Sequence, residues 1–137
     1  MASNKHAHLE MIEGVINRLS HNSFLLKGWS VILVSALFAL SAEDSTAFFS
    51  VIAYFPALAF WGLDGYFLRQ EKLYRELFKQ VAQFTEEKIN FSMDTDGLDS
   101  EVKSWSKVII STTLLVFHGA ITCSITAVTI YTLCGGA

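Results

Sequence analysis

"NSFLLKGWSVILVSALFALSAEDS", residues Asn22 to Ser45, decides the fold. From Phe24 to Ala42 it runs for 19 residues with no acid and one base, Lys27. About 20 residues at 1.5 Å rise cross a hydrocarbon core of about 30 Å. The run therefore reads as a membrane-spanning helix. A secretory signal peptide is the competing reading, with Lys5, Arg18 and Lys27 as its charged region and "ALSA" as small residues for cleavage. A second apolar run follows after only the polar turn Glu43–Thr46, which favours the span.

Working outward, Ala47–Leu63 is a further apolar run of 17 residues and Val108–Cys134 one of 27. The third run exceeds what a crossing needs and is predicted to tilt or project from the bilayer. Composition agrees with lipid as solvent. Of 137 residues, 52% are apolar and 17% charged, against roughly 45–50% and 25% for an ordinary globular chain. A soluble domain this small has too much surface to hide so much apolar material. The expected fold is all-α: a polytopic membrane protein with three transmembrane helices at 24–42, 47–63 and 108–134.

Basic residues set the expected orientation. Lys5, Arg18 and Lys27 precede or open the first span. Arg69, Lys72, Arg75, Lys79, Lys88, Lys103 and Lys107 lie between the second and third. The turn "EDST" carries no base, nor does the tail "GGA". All 10 basic residues thus fall on one side, which places the N-terminus in the cytoplasm and the C-terminus outside. Lys27 then sits at the cytoplasmic end of the first span, where its stem can snorkel and Trp29 suits the same interface. It can also form an interface ion pair. With a tight turn near residue 44, Lys27 and Asp64 lie at heights about one helical turn apart, although Arg69 competes for Asp64.

Segments outside the spans are helical too. Residues 5–22 form an amphipathic helix, with Leu9, Ile12, Ile16 and Leu19 on one face. Residues 64–88 extend the second span into the cytoplasm, with Leu73, Leu77, Val81 and Phe84 as a stripe widened by Tyr74 and Phe78. The two helices are expected to bundle, within one subunit or across several. Pro56 sits in mid-span, where neighbouring helices absorb a kink. An acidic, turn-like linker occupies 89–103. Its Asp94-x-Asp96-Gly97 resembles the start of a calcium loop but lacks the later ligands and the closing glutamate.

The third span is interrupted by hydroxyls. Ser111, His118, Thr122, Thr126 and Thr129 fall on one stripe at 3.6 residues per turn, with Leu114, Phe117, Ile121, Val128 and Tyr131 opposite. Such a stripe faces protein or water. It is either a helix-packing seam or the lining of a water-accessible lumen made by several copies, with His118 as an ionisable group inside the bilayer. One three-helix chain is too thin to enclose a channel, so a pore requires a homo-oligomer. In "RQEKLYRELFK", Arg69, Lys72, Arg75 and Lys79 form either a solvated positive-inside band or, around an oligomer axis, an anionic ligand site with Tyr74 for stacking.

Enzyme chemistry finds no footing. There is no phosphate-binding glycine loop, no Gly-x-Ser-x-Gly and no metal-ligand spacing beyond the short "HAH" of His6–His8, so no cofactor is implied. Cys123 and Cys134 are 11 residues apart on one helix, about 16 Å, too far to bridge within a chain.

The stretches Asn22–Trp29 ("NSFLLKGW") and Phe60–Tyr66 ("FWGLDGY") resemble a group of small bacterial inner-membrane proteins that share an NSFxLKGW…FWxLDxY pattern. The likeness covers roughly the first 82 residues. In build the chain is also similar to transmembrane effectors of bacterial anti-phage systems, Hailong-type channel effectors among them. That similarity implies an oligomer in the bacterial inner membrane, controlled by a cytoplasmic nucleotide or oligonucleotide made by a signalling enzyme. The expected function is accordingly a channel-forming or membrane-depolarising effector. The alternative is a non-conducting membrane scaffold that recruits a cytosolic partner.

Overall fold

The computed structural model describes residues 3–44 and 46–135. Ser45 of the predicted turn, and Gly136 and Ala137 of the tail, lie outside the described residues. The chain is all-α. Its elements are α1 (Asn4–Asp44), α2 (Phe48–Ile52), α3 (Tyr54–Ala82), α4 (Trp105–Ile109) and α5 (Thr112–Leu133), with short 3-10 turns at Glu86–Lys88 and Asp96–Glu101. Three helices are long and apolar enough to cross a membrane: α1, the α2–α3 unit and α5.

Expected as two helices, 5–22 and 24–42, the N-terminal region is one helix of 41 residues, about 60 Å long. Nothing in the Leu19–Phe24 junction stops it, because no proline is present and the inward face continues in register. That face runs through His8, Ile12, Ile16, Ser23, Lys27, Ser30, Val34 and Ser41 at spacings of three, four or seven residues. Glu86 covers its start, accepting from the backbone N–H of Asn4 at 2.5 Å and of Lys5 at 3.3 Å. A carboxylate there satisfies orphan donors and complements the helix dipole.

The second span returns antiparallel to α1. Its one irregularity is Ala53, between α2 and α3. Pro56 explains it, since proline cannot donate to the carbonyl of Ile52 and its ring crowds that group. The helix then continues to Ala82, short of the predicted 88. Glu86 and Glu87 would oppose the dipole at a helix C-terminus; instead they open the 3-10 turn. The chain folds back there, placing Phe84, Ile89, Met93 and Leu98 against a core of Ile12, Ile16, Leu77 and Val81.

From residue 83 to 104 the chain runs as a strap along the α1–α3 hairpin. His8 Nε2 lies 2.8 Å from the carbonyl of Ser92. Phe91, at φ 56°, takes the left-handed region and sets its ring beside His8. The third apolar run is broken where it was expected to be continuous over 108–134. Ile110 and Ser111 leave the helix, so α4 and α5 are separate, and α5 at 22 residues matches a single crossing. Two indoles hold the break in place: Trp105 Nε1 donates to Gly62 O at 3.0 Å and Trp61 Nε1 to Ile109 O at 2.8 Å. Gly65 permits this approach, since a Cβ there would lie 2.3 Å from Ile109 Cγ2.

A second apolar core, Val34, Ala53, Ala57 and Ile125, joins the three spans. Large side chains point away from the bundle along them, Phe55 at 80% exposure and Phe24 and Leu133 at 71%. Lipid is the solvent such a surface fits.

Candidate functional site

Between the two cores lies a polar layer. Asp64 on α3 is fully buried. Its Oδ2 is 2.5 Å from Lys27 Nζ on α1 and 2.7 Å from His118 Nε2 on α5. Its Oδ1 accepts a hydrogen bond from Ser23 Oγ, and Lys27 Nζ donates to that same Ser23 Oγ at 2.9 Å. One carboxylate thus ties three helices together.

Local sequence explains the placement. Ser23 and Lys27 are one turn apart on the inward face of α1, and Trp61 and Asp64 share a face of α3. The Trp61 ring stacks on His118 at 5.8 Å with a 12° interplanar angle. Phe117 meets the same imidazole edge-on at 5.0 Å, and its own ring lies 5.9 Å from Lys27 Nζ. These walls shield the layer from water and strengthen every electrostatic contact inside it. His118 donates through Nε2, while its buried Nδ1 has no partner. Ser30 Oγ, one turn from Lys27 on the same face, is likewise buried and unpartnered.

Arg69 does not compete for Asp64. It donates to Lys103 O at 3.1 Å and faces Asp99 at 3.4 Å.

The hydroxyl stripe of α5 faces this chain's own helices. Thr129 Oγ1 reaches Ser50 Oγ on α2 at 3.0 Å, and Thr126 Oγ1 is 2.6 Å from Tyr54 OH on α3. Thr122, Thr126 and Thr129 also donate to the carbonyl four residues back. Within the protomer these hydroxyls therefore pack as a seam between α5 and the second span. The helix is also rotated from the expected setting: Leu114, placed on the lipid side from the sequence, is buried, and Ile121 packs against the second core. Burying Leu114 and Ile125 turns the apolar shoulder of the stripe inward.

The basic set does not converge on one site. Arg75 pairs with Glu71 at 3.5 Å and Lys79 with Glu76 at 3.0 Å. Tyr74, partly buried, packs against the first core. Lys72 borders a cleft of about 220 Å³ with Glu76, Glu101, Lys103 and Ser111, where charges of both signs meet. The "HAH" pair also separates, His8 turning to the strap and His6 to Glu10 at 3.0 Å.

Sequence reasoning placed Lys27 beside Asp64 but missed His118 as the third member, and gave Ser23 and Trp61 no role. One signal was present: Trp61, Asp64 and His118 are polar or amphipathic groups set into apolar helices at the same end of their spans. No family model, curated protein or solved structure matches the chain.

Proposed function

We propose that the chain is a membrane-depolarising, channel-type effector that works as a homo-oligomer, with its gate inside the membrane. The observation that supports it is the Lys27–Asp64–His118 layer. Replacing a buried ion pair with apolar groups is often neutral or stabilising by about 1–4 kcal/mol. Polar groups can also serve simply as glue between spanning helices, but a serine hydroxyl or an amide would do that without a charge. Ionisable groups inside a span are therefore read as functional. The seam hydroxyls add support, because each threonine also bonds its own backbone, so parting α5 from α3 leaves few groups unsatisfied.

In this proposal the protein sits in a bacterial inner membrane with its N-terminus cytoplasmic and its C-terminus periplasmic, as the one-sided basic residues suggest. The α1–α3 hairpin and its strap would then be the cytoplasmic part on which a nucleotide, an oligonucleotide or a signalling enzyme acts. Anti-phage defence is the setting the resemblance suggests. Expression should collapse the membrane potential of cells, and purified protein should dissipate a potential across liposomes. Asp64→Asn should alter both. Potential held intact in cells and liposomes under every ligand tried refutes the reading.

The second reading, a non-conducting scaffold, draws on the hairpin, whose separate core lies beyond the start of α5. Replacing Thr122 and Thr126 with valine separates the two. A scaffold keeps its partner, whereas a conductor loses flux.

A further inference from the structure

Hydrogen-bonding groups gather at both ends of the α5 seam, with the Thr126–Tyr54 pair at the edge of its middle. Toward the basic end stand Asp64, His118 and Lys27, together with two buried polar atoms that lack partners, Ser30 Oγ and His118 Nδ1. Toward the other end stand Ser50 and Thr129, joined at 3.0 Å, with Thr126 and Tyr54 on their flank. Between them lies one apolar layer, in which Ala53 and Ile125 are fully buried and Ala57 and Val34 nearly so. On α5 the hydroxyls that flank it, Thr122, Thr126 and Thr129, recur at steps of four and three residues, about 5–6 Å. One or two waters would bridge each step.

We propose that this seam is a proton path through each protomer, with the Ile125 layer as its gate. The inference rests on the depolarising reading and names the ion and the route. Hydrophobic constrictions close by excluding water and open when they wet. A buried water needs two to four polar partners, and the buried, unpartnered Nδ1 and Ser30 Oγ are two such groups on the basic side of the layer. The proton is the ion that fits, because Ala53, Ala57, Val34 and Ile125 are packed to near-zero exposure across the seam, while carboxylate, imidazole and hydroxyl groups relay protons. A proton delivered by the water file to His118 Nδ1 is balanced by loss of the Nε2 proton to the Asp64 carboxylate. From there Lys27, 2.5 Å from the same carboxylate and part-exposed, releases one ammonium proton to water at the basic end and takes up the proton from Asp64. The imidazole is left neutral with its proton on Nδ1, and it resets by reorienting so that the protonated nitrogen again faces Asp64, since releasing that proton back to the water file would only reverse the transfer.

The test uses the full chain in liposomes loaded with a pH-reporting dye, with potassium and valinomycin setting the driving force. Ile125→Ser should raise proton flux about tenfold over the parent protein by wetting the layer, with sodium flux and carboxyfluorescein release unchanged. Ala57→Ser, which enters the same layer from α3, should do the same, guarding against a fault peculiar to one variant. Ile125→Phe should stay closed, and Ile125→Ser with His118→Phe should return to the parent rate. Helical, monodisperse Ile125→Ser and Ala57→Ser that pass protons no faster than the parent, or dye as fast as protons, overturn the path. If the parent depolarises by sodium or potassium flux while these variants are silent, the path fails and the depolarising reading stands. If the variants leak protons while expression never lowers the potential of cells, the path stands and the effector reading fails.

Discussion

Removing the Asp64 carboxylate should cut the tie between all three helices at once. Asp64→Ala leaves His118 Nε2–H without an acceptor at a site that is 1% exposed, while Lys27, whose side chain is 20% exposed, can reach solvent by extending its stem. Breaking a buried pair by deleting one partner costs about 3–5 kcal/mol, and the exit open to Lys27 puts this one near 3. Lys27→Met should cost at least as much, about 3–5 kcal/mol, because it strands the fully buried Asp64 carboxylate with only Ser23 and His118 as donors. If the two groups act as a pair, the double variant should fall short of the sum by about 1–2 kcal/mol. Unfolding of the four proteins in mild detergent, followed by helical circular dichroism, closes the cycle. Against a typical total of about 5–15 kcal/mol these are large effects. A cost for Asp64→Ala below about 1 kcal/mol, or additivity within about 0.5 kcal/mol, would mean the layer does not hold the three helices.

Gly65→Ala should destabilise by about 1–3 kcal/mol through overpacking, since its Cβ would meet Ile109 Cγ2 at 2.3 Å; Gly65→Ala with Ile109→Ala should recover most of it in the same melts. Valine at positions 122 and 126 should change stability by less than about 1.5 kcal/mol per site, the threonines there bonding mainly their own backbone. His8→Ala frees the Ser92 carbonyl and should speed proteolytic cleavage within residues 89–103, read by limited digestion and mass spectrometry. In the proposed orientation a membrane-impermeant maleimide should label Cys134 from the periplasmic face and leave Cys123, which lies mid-span in the bilayer, unmodified.

The three spans follow from solvent preference alone, which is why Phe24–Ala42 and its two companions could be located by length and composition. The hairpin core was equally legible, because Ile12, Ile16, Leu77 and Val81 repeat at helical spacing and must bury together. Helix ends were less so. The continuity of α1 through Asn22 and the break at Ile110–Ser111 depend on whether a neighbour accepts the continuing face. Trp61 and Trp105, through their bonds to Ile109 and Gly62, settled the second case.

The sequence by itself determined an all-α chain with three apolar helices, its bases gathered at one end, and Lys27 near the height of Asp64, since rise per residue and transfer free energy act locally. Only the tertiary structure decided that His118 completes that pair and that the α5 hydroxyls are met by Ser50 and Tyr54 of the same chain. Which side of a helix turns inward is set by the shapes of the helices packed against it, and α5 turned far enough to bury Leu114 and Ile125, carrying the imidazole onto the carboxylate.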